Sequence, residues 1–234
     1  STKTVHYGVL LFPGFQALDV FGPLDVFNSL AMLYHFPTKL TMLAKTSDAV
    51  ETSHQRAGNM MYSHPETDVS QSMIVDRTFE EQLKINEASN DEEKTGSIDV
   101  LIVPGGVGTR NDMTAEIDFV KRMYPSLKAV LSVCTGATIL ARAGVLDGRR
   151  ATTNKRAYEW ATSTGPKVNW VGEARWVVDG NIVTGSGISA GIDATYAFVS
   201  INYGEKIAQE LADSAEYVRW TDADHDPFAK RWKI

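Results

Sequence analysis

Short apolar runs alternate with amphipathic stretches along most of the chain. The runs predict buried β-strands at residues 5–12, 40–44, 98–103 and 127–133. Between and after them, apolar residues at helical spacing predict helices over residues 18–30, 76–85, 115–124 and 135–143. Pro23 marks the start of the first helix or a kink in it. This repeated strand–helix order is typical of an α/β fold with a mainly parallel sheet.

The pattern in the last third of the chain predicts a mixture of short strands and helices. A strand at 150–153 and a helix at 155–162 precede short strands at 168–171, 175–178 and 182–185 and two closing helices at 190–203 and 205–215. Asp179-Gly180 predicts a hairpin turn between the last two strands. Residues 45–72 resemble short strands and loops, and 86–97 form a polar, acidic surface loop. Since no repeat or interdomain linker occurs, we expect a single domain over residues 1–234.

Composition excludes several classes of protein. The net charge of −6 argues against a nucleic-acid partner. No apolar run approaches the roughly 18 residues of a membrane span, so no membrane association is expected. Cys134 is the only cysteine, which rules out an intrachain disulfide and a cysteine-rich zinc site. A lone cysteine suits a reducing compartment and predicts a cytoplasmic protein.

Cys134 lies where the strand at 127–133 gives way to a helix. α/β proteins place nucleophiles at such junctions, because a tight turn presents the side chain. A helix N-terminus also lowers a cysteine pKa, so the sequence predicts a thiol that ionises easily. The alternative is that Cys134 is a small buried hydrophobe.

Three segments follow predicted strand ends: residues 13–19, 104–108 and 134–136. Ligands bind at this edge of an open α/β sheet. Asp19 is the carboxyl group best placed to act on the thiol as acid or base, although it could instead cap a helix, and Asp25 is a competing acid. The backbone amides around Gly105 and Gly106, together with that of Thr135, could hold a developing negative charge.

Other motifs carry less chemistry. The glycines at 105–108 lack the spacing of nucleotide-binding loops, and residues 222–226 lack the glycine and glutamate of a calcium loop, so neither a cofactor nor a metal is predicted. Trp220 and Trp232 are expected to dock the terminal segment on the body or on a second subunit. All histidines are remote from Cys134 in sequence, although one could approach in space: His6, His35, His54, His64 and His225.

Four blocks of sequence resemble the DJ-1/PfpI superfamily: LLFPGFQALDVFGPLDVF, DVLIVPGGVGTR, LSVCTGATILARAGVLDGRRATTN and TGSGISAGIDATYAFV. Within it, the chain is most similar to isocyanide hydratases and to the amidotransferase-like domains of AraC-type regulators. The resemblance implies a flavodoxin-like three-layer sandwich, a strained nucleophile elbow and a homodimer. Because the chain ends soon after the second closing helix, without room for a helix-turn-helix domain, the stand-alone enzyme is expected.

The resemblance also implies roles for residues. Cys134 would be the nucleophile, Asp19 the acid that shuttles a proton, and Gly106 and Thr135 the backbone donors. The implied reaction hydrates a small isocyanide to an N-formamide, with a thioimidate resolved by water and no cofactor. One position departs from the pattern: Asn154 stands where hydratase-like relatives usually have histidine, which puts a contact there in doubt.

Two alternative functions fit the same residues. The protein could be a redox or stress-response protein in which an exposed, low-pKa Cys134 senses peroxide. It could also have glyoxalase-like activity on 2-oxoaldehydes, because one site in this superfamily serves many reactions.

Overall fold

Eleven strands and eight helices occur in the computed structural model, which describes residues 4–53, 69–88, 90 and 94–234. The strands are β1 (Val5–Leu10), β2 (Thr38–Ala44), β3 (Val50–Glu51), β4 (Ser72–Met73), β5 (Arg77–Thr78), β6 (Val100–Val103), β7 (Ala129–Val133), β8 (Arg150–Ala151), β9 (Asn169–Trp170), β10 (Trp176–Asp179) and β11 (Ile182–Gly185). The helices are α1 (Ala17–Tyr34), α2 (Phe79–Asn86), α3 (Thr114–Met123), α4 (Ala137–Arg142), α5 (Tyr158–Ser163), α6 (Ala190–Tyr203), α7 (Glu205–Ser214) and α8 (Pro227–Trp232).

Seven strands form the central sheet in the order β10-β11-β7-β6-β1-β2-β5. All neighbours are parallel except β10, which pairs antiparallel with β11 through the predicted hairpin. A parallel sheet is covered on both faces, which explains why its central strands are almost wholly apolar. The pairs β3–β4 and β8–β9 lie outside this sheet. The expected α/β class with a mainly parallel sheet is confirmed.

Helices cover the sheet in two groups. Helices α1, α6 and α7 pack against one another, and α3 contacts both α2 and α4. Between these layers the sheet side chains are fully buried, as at Leu10, Leu101 and Leu131. The result is the expected flavodoxin-like three-layer sandwich. No helix within the described ranges combines the length and the apolar character needed to cross a bilayer.

Several boundaries differ from the sequence-based predictions. Helix α1 begins at Ala17, and Pro23 lies inside it. Proline removes one backbone hydrogen bond, and packing of the buried apolar residues of α1 holds the helix in spite of this loss. A 3-10 turn over Cys134–Gly136 precedes α4, so the helix starts later than predicted. The terminal helix α8 was not predicted. Much of the segment at 45–72 lies outside the described residues.

The sheet order places three loops at one edge. Strand β1 has β2 on one side and β6 on the other, so the chain changes direction in the sheet at this point. Strand β7 follows β6, and the carboxyl ends of β1, β6 and β7 are adjacent because the three strands are parallel. Ligands bind in α/β sheets at such a switch point. The loops after these strands carry the candidate site.

Candidate active site

Cys134 has the backbone of a nucleophile elbow. Its φ of 57° lies in the left-handed region, which costs a non-glycine residue about 1–3 kcal/mol. The surroundings hold this conformation: the Cys134 amide donates to the Ser186 carbonyl at 2.8 Å, and the Thr153 hydroxyl donates to the Cys134 carbonyl at 2.9 Å. The turn also requires Gly136, where a Cβ would lie 2.2 Å from the Val103 carbonyl oxygen.

The sulfur of Cys134 is buried and surrounded by donors. Asn154 Nδ2 lies 3.2 Å from Sγ, and the backbone amides of Ile188 and Thr135 also bond it. These donors favour the thiolate, but burial and the nearby Asp19 charge outweigh them and raise the pKa of the thiol to about 12. The expectation of an easily ionised thiol is therefore wrong. The exposed thiol required for the proposed peroxide sensor is not observed either, because Cys134 is only 5% exposed.

Asp19 lies in the first turn of α1, and its side chain is fully buried. Its Oδ2 accepts a 2.9 Å hydrogen bond from the Gly105 amide, whereas Oδ1 has no partner with hydrogen-bond geometry among the described residues. Burial raises the pKa of the carboxyl group to about 7, although the Gly105 amide and the Cys134 thiol partly oppose this. Asp19 therefore does not cap its own helix. The competing acid, Asp25, is exposed.

The Gly105–Gly106 turn is held by hydrogen bonds to Thr135, the residue after Cys134. The Gly106 amide donates to Thr135 Oγ1 at 3.0 Å, and the Thr109 hydroxyl lies 3.0 Å from the same oxygen. A Cβ at Gly105 would lie 2.5 Å from the Thr135 nitrogen, so only glycine allows this approach. Since Gly105 donates to Asp19, both glycine amides are occupied. Thr135 brings its own amide to the sulfur and its hydroxyl to the turn.

Asn154 joins this site through both ends of its side-chain amide. While Nδ2 faces the sulfur, Oδ1 accepts a 2.9 Å hydrogen bond from the Ala157 amide. The second bond fixes which end of the amide faces Cys134, because the amide nitrogen is a donor and cannot accept a hydrogen bond from the Ala157 N–H. The sequence marked this position only as a departure from its relatives. Asn154 contacts the sulfur of Cys134 directly.

A cluster of buried charges lies beside Asn154. Lys155 Nζ donates to the Ala174 carbonyl at 2.6 Å and lies 3.9 Å from Asp226 Oδ2, while Arg175 lies 3.6 Å from Asp226 and 2.7 Å from Asp193. Burial lowers the pKa of Lys155 to about 8. The sequence gave no sign of this cluster, because its members are far apart along the chain. It ties Asp226, which precedes α8, to Lys155, which follows Asn154 in the chain.

No described histidine reaches this site. His6 lies at the amino end of β1, at the opposite edge of the sheet, and His35 follows the far end of α1. His225 pairs with Asp222 at 2.8 Å on the surface. The remaining histidines, His54 and His64, lie outside the described residues. Within the part of the chain that the structure covers, no group of three histidine, cysteine, aspartate or glutamate residues is arranged to hold a metal ion.

Known proteins share this sequence and fold. An isonitrile hydratase from Pseudomonas putida is 32% identical over 216 residues, covering 91% of this chain and 78% of the relative. A ThiJ/PfpI family protein from Pseudomonas syringae superposes with a TM-score of 0.68 at 26% identity, covering 97% of this chain and 78% of that one. An AraC family transcriptional regulator from Pseudomonas putida shares the fold, with a TM-score of 0.68 at 16% identity over 90% of this chain and 99% of its own. The DJ-1/PfpI family model matches residues 7–201, and the chain belongs to the DJ-1/PfpI family.

Proposed function

We propose that the protein is a cysteine-dependent hydratase that converts a small isocyanide to an N-formamide. The observation that carries this proposal is the buried pair of Cys134 and Asp19, with three N–H donors directed at the sulfur. Similarity to the isonitrile hydratase of Pseudomonas putida over most of the chain supports a hydratase-like reaction. The pair needs no histidine to work.

The negative charge of the pair rests on Asp19, and the donors around the sulfur lower the cost of moving it to Cys134. Burial disfavours charge on both groups, with a pKa of about 7 for Asp19 and about 12 for Cys134. Moving the thiol proton to an ionised Asp19 leaves the net charge of the site unchanged. The thiolate so formed has three N–H donors, and the Asp19 carboxylate that it replaces accepts the Gly105 amide and the Cys134 thiol. A substrate that reacts with this thiolate draws the proton transfer forward.

The proposed reaction uses the one proton that Cys134 and Asp19 share. Sγ of Cys134 bonds to the terminal carbon of the isocyanide while Asp19 returns the proton to that carbon, which gives a thioimidate R–N=CH–S. Water adds to the same carbon, and loss of the sulfur, with proton return through Asp19, releases R–NH–CHO. The balance is one isocyanide plus one water giving one formamide. General acid–base assistance of this kind contributes about 10²–10⁴ in rate.

Incubation of the purified protein with an alkyl isocyanide, with the formamide followed by proton NMR, tests the proposal. Cys134→Ser should abolish turnover, and Asp19→Asn should lower kcat by about 10²–10⁴. Asp25→Asn is the matched control on the same helix and should retain activity because Asp25 is exposed. Absence of formamide under single-turnover conditions would reject the proposal. Turnover of phenylglyoxal instead would favour the glyoxalase-like alternative.

We further propose that the enzyme is a cytoplasmic homodimer. Leu18 and Phe21 of α1 are 41% and 44% exposed, and together with Leu40 they border an apolar depression on the surface. An exposed apolar patch of this kind marks an interaction surface. Light scattering should give about twice the 25.7 kDa mass of one chain, and Phe21→Glu should halve it. The control Leu33→Glu, on the other end of α1, should leave the mass unchanged.

A further inference from the structure

Lys155 is a buried lysine that the proposed reaction does not use. Its side chain is only 2% exposed, and lysine is rarely buried to this degree. The carboxylate of Asp226 lies 3.9 Å from its ammonium group, which is too far for a hydrogen bond. Replacing buried charged pairs by apolar side chains of similar volume often costs no stability, so packing alone does not explain this lysine. Its hydrogen bonds do.

The N–H donors of Lys155 converge on the residues that precede Asn154. Nζ donates to Thr152 Oγ1 at 2.7 Å and to the Thr153 carbonyl at 3.4 Å. It also donates to the Ala174 carbonyl at 2.6 Å, and Ala174 lies in the loop between β9 and β10. All three N–H groups of the ammonium ion are therefore used, and they fasten residues 152–153 to a separate part of the chain.

The fastened segment bonds Cys134 at two points. The Thr153 hydroxyl donates to the Cys134 carbonyl at 2.9 Å, and Asn154 Nδ2 lies 3.2 Å from Sγ. The first bond supports the left-handed backbone of Cys134, and the second places a donor on the sulfur. Since Asn154 lies between Thr153 and Lys155 in the chain, the position of its side chain depends on where the ammonium group holds this backbone.

The charges around Lys155 balance while it is protonated. Asp226 faces its ammonium group, and Arg175 lies 3.6 Å from the other oxygen of Asp226. Arg175 also pairs with Asp193 at 2.7 Å, and the Tyr158 ring centre is 5.9 Å from Nζ. Two buried cations thus face two buried carboxylates. Loss of the Lys155 proton leaves one negative charge in excess.

Protonation of Lys155 is also what gives it three donors. Burial lowers the pKa of Lys155 to about 8; the Asp226 charge opposes this effect and the Arg175 charge adds to it. A neutral amine has two N–H groups for the three acceptors, so one bond to the segment is lost above this pH. The longest of the three, to the Thr153 carbonyl at 3.4 Å, is the one that we expect to break first.

We propose that Lys155 is a positioning residue for the nucleophile: its buried ammonium group holds residues 152–154 so that the Asn154 amide meets the sulfur of Cys134. The effect on turnover rests on the proposed hydration reaction. The effect on the Asn154 side chain does not, because its contacts are those of the resting protein. Lys155 acts through Asn154 and needs no contact with the substrate.

The kinetics of alkyl isocyanide hydration test this role. Lys155→Met should lower kcat by about tenfold with little change in KM, because the affected donor contacts the sulfur rather than the bound substrate. In an Asn154→Ala background, where that donor is already absent, the same substitution should cost at most about twofold. Lys167→Met is the matched control, since Lys167 is 77% exposed, and it should leave kcat unchanged. Equal losses in both backgrounds would overturn the positioning role.

A second measurement is independent of turnover and does not require Lys155→Met to fold. The Asn154 side-chain amide is followed by ¹⁵N NMR in Asp19→Asn, which removes the carboxyl group that titrates near pH 7. Its signals, identified by their absence after Asn154→Ala, should shift with a midpoint at about pH 8 as Lys155 loses its proton. Asp226→Asn should move this midpoint to lower pH, because the Asp226 charge favours the ammonium form. Signals that stay constant from about pH 6 to pH 10 would refute the role.

Together the two measurements separate this role from the hydratase reaction. If the Asn154 signals titrate near pH 8 but no isocyanide is hydrated, Lys155 positions Asn154 and the proposed function fails. If isocyanides are hydrated while the signals stay constant and the kinetic losses are equal in both backgrounds, the function holds and the positioning role is rejected. If no isocyanide is hydrated and the signals stay constant, both are rejected.

Discussion

Asp19→Asn should make the protein more stable at neutral and alkaline pH while it lowers activity. The Asp19 side chain is fully buried, accepts one hydrogen bond from Gly105 and leaves Oδ1 without a partner. Burial raises the pKa of this carboxyl group from 3.8 to about 7. An asparagine has nearly the same shape, keeps an oxygen for the Gly105 amide and carries no charge. The substitution therefore removes a charge that burial makes unfavourable in the folded state.

The sign and size of the effect follow from linkage between folding and protonation. Below pH 3.8 the carboxyl group is protonated in both states, and its contribution to stability is fully present. As the pH rises toward 7, the unfolded chain ionises but the folded one does not, so this contribution is lost. At about 1.4 kcal/mol for each pKa unit, the loss approaches 4 kcal/mol by about pH 8. The asparagine variant has no such loss.

Urea unfolding at several values between pH 4 and pH 8 measures this difference. The free energy of unfolding of Asp19→Asn, minus that of the wild type, should increase by about 4 kcal/mol across the range. In Asp25→Asn, the exposed control, the difference should stay nearly constant. A flat difference for Asp19→Asn as well would show that Asp19 titrates like a solvent-exposed carboxylate, and the proton-sharing pair would have to be abandoned.

Three further predictions concern the groups around the sulfur. Asn154→Asp keeps the bond from Ala157 but loses the donor to Sγ, and it should lower kcat by about 10–100-fold because a hydrogen bond to a charged group contributes about 1.5–3 kcal/mol. Thr135→Val leaves the Gly106 amide without its acceptor and should lower the free energy of unfolding by about 1–3 kcal/mol, with recovery in Thr135→Ser, by urea titration. Iodoacetamide should alkylate Cys134 about 10³-fold more slowly than a free cysteine at pH 8, measured by intact mass.

The parts of the structure that sequence could predict are those fixed by local patterns. The apolar runs at β1, β6 and β7 specify buried parallel strands, because a strand covered on both faces is apolar throughout. Parallel strands then bring their carboxyl ends to one edge, which was enough to place Asp19 near Cys134. Hairpin chemistry at Asp179-Gly180 predicted β10 and β11 for the same local reason.

The residues that the sequence did not bring together depend on long-range packing. Asn154 reaches the sulfur only because the loop after β8 lies over the end of β7, and no pattern in residues 150–157 encodes that position. The contacts of Asp226 are similar, since its partners Lys155 and Arg175 lie more than 50 residues earlier in the chain. A charged residue in a polar terminal segment is normally solvated, and only the folded chain shows that this one is buried.

The expectation of a low pKa for Cys134 was wrong because it counted the helix terminus and not the larger effect of burial. A helix terminus favours a negative charge by about 0.3–1 kcal/mol, whereas full burial can shift a pKa by about 3–5 units, or roughly 4–7 kcal/mol. The sequence reveals the helix after Cys134 but not the depth of the thiol. Once burial dominates, a resting thiolate is disfavoured, and in the proposed reaction the thiol reacts by passing its proton to Asp19 as the substrate bond forms. Under that proposal the elbow holds a thiol that stays protonated until a substrate arrives, which is the condition under which a buried carboxyl group with a pKa of about 7 can best accept and return a proton.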